Sequence, residues 1–370
     1  MDGEGRPENY TSGSNLSMKQ QLDDLSDEHV GDFTKIIFIF TAILSFLGNV
    51  FVLVLFLRNR KWLDKTYGRF IFALAFVDVL TAVCLFAMPL AVHEGRPRRT
   101  WPRDGLAREV YCRLIWSHYV LFSFGVTSVY TCFVLTVERW VAVVKPFYHR
   151  KYKASPRSLL ALVVLPWLAG FLLEADIVYE ARVENRDADG TFVCKWSDPE
   201  MNKSDVDETT AAAARAVSSF AGAIFLPALL IASMYAHILV KLQRETADSR
   251  RPNPRRAAAQ ARAQQPQLST FYKLALRRAT KMAACATIVV VICWLPCQTY
   301  SLLAQLGYAE RETSLHRMLN LLAFFNSCLN PFIYAFSNKL YRETFIETFS
   351  KLINCQSTNT DLGDGGSAFV

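Results

Sequence analysis

Apolar residues are concentrated in seven blocks along the chain, and short polar segments separate them. The blocks cover residues 33–58, 69–92, 112–143, 157–178, 211–241, 279–304 and 314–337. Each block supplies the roughly 20 mostly apolar residues that a helix needs to cross the hydrocarbon core of a bilayer. The pattern therefore predicts an all-α membrane protein, built as a seven-transmembrane helix bundle over residues 33–337.

Two segments outside these blocks have periodic patterns of their own. Residues 178–183 and 191–196 alternate on either side of Asp189-Gly190, which predicts an extracellular β-hairpin loop over the bundle. After the last span, residues 338–353 place Leu340, Phe345, Phe349 and Leu352 near one helical face. This pattern predicts a short amphipathic eighth helix that lies along the membrane surface.

The remaining segments are polar. Residues 1–32 are acidic and predict a disordered extracellular tail. The third cytoplasmic loop, about 242–272, is rich in Arg, Ala, Gln and Pro, as is typical of a flexible loop. Residues 354–370 form a predicted cytoplasmic tail.

Composition and charge agree with a membrane protein. Only 20% of the 370 residues are charged, against about 25% in soluble domains, and the mean hydropathy is +0.16. These values exclude a soluble enzyme, a secreted disulfide scaffold and a disordered chain. The net charge of +8 comes from Lys and Arg after the first, third and fifth spans, with eleven in 241–281 alone. The positive-inside rule makes those loops cytoplasmic, so the N-terminus is predicted outside and the C-terminus inside. The charge is therefore interpreted as a topology signal, with no nucleic-acid partner.

Several residues are candidates for covalent modification on this topology. Asn9, Asn15 and Asn202 lie in glycosylation sequons on the predicted outer face. Cys112 and Cys194 also fall on that oxidising side, where a disulfide between them can form. Cys355 lies inside, just beyond the predicted eighth helix, and is a candidate for palmitoylation.

Polar side chains inside membrane spans are costly and are therefore candidates for function. They are Asn49, Asp78, Ser128, Asn326, Ser327 and Asn330. Three motifs accompany them, namely Glu138-Arg139-Trp140, Cys293-Trp294-Leu295-Pro296 and Asn330-Pro331-Phe332-Ile333-Tyr334. In this order and on these spans, they resemble the rhodopsin-like (class A) G-protein-coupled receptors over about residues 33–355.

The resemblance implies an activation switch at the cytoplasmic end. Its residues are Glu138, Arg139, Trp140, Tyr235, Asn330, Pro331 and Tyr334, with hinges at Trp294, Pro296 and Pro227. Arg139 would pair with Glu138 at rest and be released to contact an entering partner helix. Two positions depart from the family pattern, because Trp140 replaces a tyrosine and Val290 replaces a phenylalanine one turn from the motif tryptophan.

The resemblance also implies an allosteric sodium ion and a disulfide. The sodium ligands would be Asp78, Ser128, Asn326 and Asn330, and a protonated, hydrogen-bonded Asp78 is the alternative. No covalent cofactor is expected. The disulfide would join Cys112 to Cys194, but Cys112 lies 27 residues before Arg139, two more than is usual in the family. We therefore expect a local bulge between them.

Absent residues limit the ligand class. Leu121 occupies the position at which monoamine receptors carry an aspartate, and 318–337 contains no lysine for a retinal Schiff base. From Glu174 to Glu208 there are eleven acidic and four basic residues, which would attract a cationic ligand. The candidate ligand contacts are Leu121, Glu174, Asp176, Trp196, Trp294 and Gln298. The sixth-span and seventh-span motifs are most similar to neuropeptide receptors of the somatostatin, galanin and allatostatin kind.

The predicted function is that of a plasma-membrane receptor which binds an extracellular, basic neuropeptide and activates a heterotrimeric G protein. The other expected partners are membrane lipid, receptor kinases and arrestin, the last two through the serines and threonines of the tail. The chain has no nucleotide loop, metal cluster or nucleophile triad, so it is not expected to be an enzyme. Three alternatives stay open, namely a prostanoid-like lipid receptor, a receptor-like protein that does not signal, and a transporter or channel.

Overall fold

The computed structural model describes residues 11–87, 102–151, 156–185, 191–197, 206–250, 266–311, 313–337, 341–348 and 350. Within these ranges, seven helices are long and apolar enough to cross a bilayer. The predicted seven-helix architecture is therefore confirmed. A two-stranded hairpin lies at one end of the bundle and Arg139 near the other, and we refer to them as the hairpin end and the Arg139 end.

The seven long helices are numbered in chain order. Helices 1 to 7 are Thr11–Arg58, Thr66–Ala87, Tyr119–Val144, Pro156–Leu173, Leu226–Arg250, Pro266–Gln305 and Ser314–Ser337. Shorter helical segments are Arg60–Trp62, Gly105–Val110, Tyr111–Trp116, Pro146–Lys151, Ala175–Glu180, Val206–Phe220 and Ala221–Phe225. Helix 3 packs against helices 2, 4, 5 and 6, and helix 1 packs against helices 2 and 7.

Two predicted boundaries need correction. Helix 1 begins at Thr11, so residues 11–32 are helical and only 1–10 lie outside the described residues. This segment contains no proline and several strong helix formers, so its polarity gave the wrong prediction of disorder. The predicted loop of 242–272 is also too long, because helix 5 continues to Arg250 and helix 6 begins at Pro266.

The hairpin end of helix 3 is irregular, as the extra residues predicted. Tyr111–Trp116 is a π turn, and His118 has a left-handed φ of 61° before helix 3 begins at Tyr119. A π turn holds more residues than an α turn, so it takes up extra length without moving the rest of the helix. The predicted block of 112–143 is therefore two segments with a break at His118.

The hairpin is confirmed with a shift in its first strand. Ala181–Asn185 pairs antiparallel with Phe192–Trp196, and Ala181 lies opposite Trp196. The first strand starts three residues later than predicted because Ala175–Glu180 forms a helical turn. A disulfide joins Cys194 of the second strand to Cys112, with the two Cα atoms 5.4 Å apart. The hairpin is thereby fastened to the irregular start of helix 3.

The eighth helix is observed over residues 341–348. Tyr341 packs against the connection that follows helix 1, where its ring centroid lies 4.4 Å from that of Trp62. Phe345 packs against helix 1 itself, with its ring centroid 4.5 Å from that of Phe51. Burial raises the pKa of Tyr341, so its phenol stays neutral and packs as an apolar ring. The other predicted members of this apolar face, Leu340, Phe349 and Leu352, lie outside the described residues.

Candidate functional site

A cavity of about 190 Å³ lies beneath the hairpin, and residues of helices 3, 6 and 7 and of the segments Ala175–Glu180 and Val206–Phe220 line it. Its lining includes Phe122, Glu174, Asp176, Trp196 and Gln298. Its volume is below the range of about 300–1,000 Å³ that drug-sized ligands fill. The cavity can therefore take a terminus or a side-chain segment of a larger ligand, whose remainder must lie over the hairpin end.

The deepest charged group in this cavity is Glu174, whose side chain is 4% exposed. Glu174 stands between Leu173, where helix 4 ends, and the helical turn Ala175–Glu180. Gln298 of helix 6 donates a 2.9 Å hydrogen bond from Nε2 to Glu174 Oε1. None of the described cationic residues forms an ion pair with Glu174. A buried carboxylate held only by a neutral amide is costly, so the site favours a cationic guest.

Two further acids, Asp176 and Glu180, line the cavity between Glu174 and the hairpin. Asp176 accepts a 3.0 Å hydrogen bond from the Ile177 amide and a weak 3.4 Å hydrogen bond from Gln305. Glu180 is paired with Arg311 of the connection between helices 6 and 7. The acids Glu174, Asp176 and Glu180 thus occur within one short segment, and all three line the cavity.

Leu121 and Trp294, both predicted as ligand contacts, lie beneath the cavity and do not line it. Each is 2% exposed and belongs to the central apolar core. Phe122 does line the cavity, and its ring centroid lies 6.2 Å from that of Trp294 and 5.5 Å from that of Phe324. Phe122 therefore connects the cavity to the tryptophan of the sixth-span motif, and Leu121 and Trp294 stay predicted ligand contacts that this cavity does not expose.

Trp294 is seated against a glycine of the neighbouring helix. A Cβ atom built on Gly125 would overlap the six-membered ring of Trp294. The ring can occupy this place only because helix 3 has no side chain there. Val290, one turn earlier on helix 6, is fully buried in the same core. The absence of a side chain at Gly125 thus leaves the Trp294 ring in direct contact with helix 3.

A buried polar cluster lies deeper in the bundle around Asp78. Ser327 Oγ donates to Asp78 Oδ1 at 2.9 Å, and Asn330 Nδ2 donates to Asp78 Oδ2 at 2.7 Å. Ser128 Oγ, Asn326 Oδ1 and Asn330 Oδ1 are buried and have no hydrogen-bond partner among the described residues. Oxygen atoms of this kind beside one carboxylate fit a small hard cation such as sodium. Asp78, Ser128, Asn326 and Asn330, the four predicted ligands, therefore provide oxygen atoms that are suitable for coordinating this ion.

At the opposite end, Glu138 and Arg139 form an ion pair that is shielded from solvent. The side chains of Arg139 and Glu138 are 4% and 10% exposed. The guanidinium carbon of Arg139 lies 4.6 Å from the ring centroid of Tyr67, and His149 Nε2 lies 3.2 Å from Glu138 Oε1. The arginine is thus covered on one face by helix 2 and held on the other by its neighbouring acid.

The remaining switch residues lie around this pair. Trp140 Nε1 donates to His237 Nδ1 at 3.2 Å, so the tryptophan that departs from the family pattern contacts helix 5. The hydroxyl groups of Thr136 and Tyr235 are 3.5 Å apart. The Tyr334 hydroxyl is buried and has no hydrogen-bond partner within the described ranges. Both tyrosines are therefore held mainly by packing and not by strong hydrogen bonds.

The three prolines predicted as hinges occupy places where the helix ladder is interrupted. Pro296 and Pro331 lie inside helices 6 and 7, where each removes one hydrogen bond of the helix. Pro227 is the second residue after the π turn Ala221–Phe225. The missing amide hydrogen of Pro227 is a physical reason for a widened turn at this place.

Comparison with known proteins agrees with this arrangement. The family model described as 7 transmembrane receptor (rhodopsin family) matches residues 48–334. The chain belongs to this family. Relatives of the receptor include Galanin receptor 2a of Danio rerio, 24% identical over 321 residues, and Somatostatin receptor type 1 of Mus musculus, 28% identical over 338 residues. These matches cover 85% and 90% of the receptor, and 77% and 75% of the two relatives.

A third relative, Galanin receptor type 1 of Rattus norvegicus, is 24% identical over 336 residues. That match covers 89% of the receptor and 85% of the relative. The family and these relatives confirm the resemblance inferred from the motifs. The receptor is therefore a multi-pass protein of the plasma membrane, and its family is one of receptors and not of enzymes.

The modification sites predicted for the receptor fall mostly outside the described residues. Asn9, Asn202 and Cys355 lie there, and Asn15 lies within helix 1. The disulfide between Cys112 and Cys194 is the one predicted modification that the described part of the receptor contains.

Sequence reasoning missed three residues that define the cavity of the receptor. Phe122 connects it to Trp294, Glu180 ends its acidic wall, and Arg311 lies at its mouth. Glu180 was available from the sequence as the third acid after helix 4. No local signal marks Arg311, because its contact with Glu180 joins segments 131 residues apart.

Proposed function

We propose that the receptor binds an extracellular peptide through a basic side chain or terminus and activates a heterotrimeric G protein. The observation that carries this proposal is the buried acid Glu174, which a neutral amide holds in a cavity beneath the hairpin. A cationic group entering there would give Glu174 the charged partner that no described residue supplies. The names of the galanin and somatostatin receptors support a peptide as the ligand class.

The orientation follows from the same proposal. The hairpin end would face outward, because its cavity has to meet an extracellular ligand, and the Arg139 end would face the cytoplasm. This matches the positive-inside distribution of Lys and Arg in the sequence. The predicted glycans would then lie outside, and the palmitate on Cys355, the kinases and arrestin would lie inside.

Signal transfer would start at the floor of the cavity. A ligand that presses on Phe122 moves a ring that contacts both Trp294 and Phe324. Trp294 lies two residues before Pro296, where helix 6 lacks a hydrogen bond and can bend. Ligand binding would thereby change the relative populations of two packings of helix 6, to the extent that the ligand prefers one of them.

The polar cluster would set the resting balance between these packings. We propose that Asp78, Ser128, Asn326 and Asn330 hold a sodium ion in the resting receptor. When bound, the ion would supply the positive charge that neutralises Asp78. The chain itself contributes the hydrogen bonds from Ser327 and Asn330, which keep the carboxylate oriented between helices 2 and 7.

The Arg139 end would complete the response. In the present packing, Arg139 is held by its ion pair with Glu138 and covered by the ring of Tyr67. Outward movement of helix 6 would open the space beside Arg139. The freed guanidinium group then offers several donors to the backbone carbonyl groups of an entering G-protein helix. Trp140 and His237 would line the same opening.

The test is a second-messenger assay in cells that express the receptor. Calcium and cyclic AMP are recorded with a library of basic peptides and with a set of lipids, and Arg139→Ala is run in parallel. A peptide response that the variant loses supports the proposal. A response to lipids alone overturns the peptide assignment in favour of a prostanoid-like ligand. Silence with confirmed surface expression overturns the signalling role.

A further inference from the structure

Arg311 lies across the mouth of the cavity and is bound to residues of the hairpin region. Its Nη2 donates to Glu180 Oε2 at 2.5 Å, and its guanidinium carbon lies 4.6 Å from the ring centroid of Trp196. The Trp196 ring lies 4.9 Å from that of Trp116. All four residues line the cavity. A planar cation is therefore held between a carboxylate and an aromatic face.

The acidic and aromatic groups are fixed in place by the hairpin. The Glu180 carbonyl oxygen accepts hydrogen bonds from the Ser197 amide at 2.8 Å and from the Ser197 hydroxyl at 3.0 Å. Trp196 lies at the end of the second strand, opposite Ala181. Cys194, two residues earlier, is disulfide-bonded to Cys112. This half of the contact is thus preorganised by backbone pairing and a covalent link.

The basic group comes from a short connection between two helices. Arg311 belongs to the connection between helix 6, which ends at Gln305, and helix 7, which begins at Ser314. The side chains of Arg311 and Glu180 are 22% and 29% exposed, so solvent reaches the pair. Ion pairs of this kind change an equilibrium by a factor of roughly five or less. Another guanidinium group can therefore compete with Arg311 for the same place.

We propose that Glu180 and Trp196 form a guanidinium-binding subsite, that Arg311 fills it in the free receptor, and that an arginine of the ligand replaces Arg311. This inference rests on the proposed peptide function, and it names the ligand class as an arginine-containing peptide. Release of Arg311 would also free the connection between helices 6 and 7, so the mouth opens only for ligands that carry the matching group.

The subsite is specific for arginine over lysine on chemical grounds. The guanidinium group is planar, so it stacks on the Trp196 ring and donates in its own plane to Glu180. A lysine ammonium is compact and more strongly hydrated, and it cannot reproduce both contacts with the same geometry. Glu174, which is held by an amide at the cavity floor, makes no such distinction.

The first experiment measures release of Arg311 directly. Purified receptor in lipid nanodiscs is mixed with N-acetyl-arginine amide or with N-acetyl-citrulline amide, which has the same shape without the charge. Hydrogen–deuterium exchange is followed in residues 306–311. In the wild-type receptor, we expect the arginine amide to speed exchange and the citrulline amide to have no effect. In Arg311→Gln, exchange should already be fast without a probe. In Glu180→Gln, the arginine amide should have no effect. Equal effects of the two amides, or no effect of either, would overturn the subsite.

The matched control is Lys195→Gln. Lys195 and Glu184 form another ion pair of the hairpin, with Nζ and Oε2 2.5 Å apart and side chains 49% and 47% exposed. Its loss should leave the exchange of 306–311 and the effect of the arginine amide unchanged. If Lys195→Gln gave the same result as Arg311→Gln, the effect would come from general loosening of the hairpin, and the subsite would be refuted.

The second experiment separates this inference from the proposed function. Each peptide that activates the receptor is compared with its arginine-to-citrulline analogue on the wild-type chain and on Arg311→Gln. We expect a potency loss of about tenfold for the analogue and a gain of about threefold for the parent peptide on Arg311→Gln. Active peptides that tolerate citrulline refute the subsite alone. Absence of any peptide response, with the exchange effect intact, refutes the proposed function alone.

Discussion

The amide group of Gln298 lies 2.9 Å from the carboxyl group of Glu174 and joins helix 6 to the end of helix 4 across the cavity. Helix 6 is the helix that carries Trp294 and Pro296. A group that competes with Gln298 for Glu174 would therefore act on helix 6 as it binds. The cavity floor thus connects ligand binding to helix 6 in two ways, through this hydrogen bond and through Phe122.

Glu174→Gln tests the anchoring acid. The substituted amide can still exchange hydrogen bonds with Gln298, so the fold should be kept, but the charge that attracts a basic group is lost. We expect the potency of activating basic peptides to fall by roughly tenfold to hundredfold in the second-messenger assay. Glu109→Gln is the control, because Glu109 pairs with Arg113 at the same end but does not line the cavity. Equal losses in both variants would contradict a specific role for Glu174.

Gly125→Ala tests the seat of Trp294. A methyl group on Gly125 overlaps the indole ring, so the ring or helix 3 has to move. We expect a loss of about 1–3 kcal/mol in stability, measured by thermal unfolding in nanodiscs, together with altered basal signalling. Gly105→Ala is the matched control, because no atom lies near the added methyl group there. Unchanged unfolding of Gly125→Ala would show that Trp294 repacks without cost.

Asp78→Asn tests the proposed sodium site. In the wild-type receptor, agonist affinity should be lower in sodium chloride than in N-methylglucamine chloride of the same ionic strength, because the ion favours the resting packing. The variant should show no difference between the two salts. Ser327→Ala removes one hydrogen bond to Asp78 but keeps the carboxylate, so it should retain part of the sodium effect. A wild-type receptor that does not respond to sodium would refute the site.

Glu138→Gln tests the ion pair at the Arg139 end. The variant loses the charge that holds Arg139 in its shielded position, so we expect a severalfold rise in basal nucleotide exchange by a purified G protein. Asp64→Asn is the control, because it removes an exposed acid from the connection between helices 1 and 2. Basal exchange that stays at the wild-type level in Glu138→Gln would show that packing against Tyr67 alone holds Arg139.

The sequence predicted well what depends on local pattern. The seven spans follow from runs of apolar residues, and Asp78, Ser128, Asn326 and Asn330 stand out as polar residues inside those runs, while their grouping in space is implied by the family resemblance. The hairpin follows from alternation around Asp189-Gly190. The spans can be predicted because the membrane requires each helix to be apolar on its own, so tertiary contacts have little influence on where the spans lie.

Depth within the bundle was harder to predict. Leu121 and Trp294 were assigned to the ligand site, but both lie in the core below the cavity, and Phe122 takes the position between. Adjacent residues on a helix point about 100° apart, so the orientation of helix 3 about its own axis decides which of the two reaches the cavity. The contact of Arg311 with Glu180 depends on how two connections meet, and periodicity carries no information about that.

The break at His118 separates the π turn Tyr111–Trp116 from helix 3, which begins at Tyr119. Two residues more than usual separate Cys112 from Arg139, yet Leu121 keeps its spacing of eighteen residues from Arg139 because the π turn and His118 take up the extra length before helix 3 begins. Extra residues at this place change the rim of the cavity, which Trp116, Ser117 and His118 help to line, without changing the register of helix 3 toward the Arg139 end. Sequence changes at the break can thus alter the cavity rim, while the part of helix 3 from Leu121 to Arg139 keeps its packing.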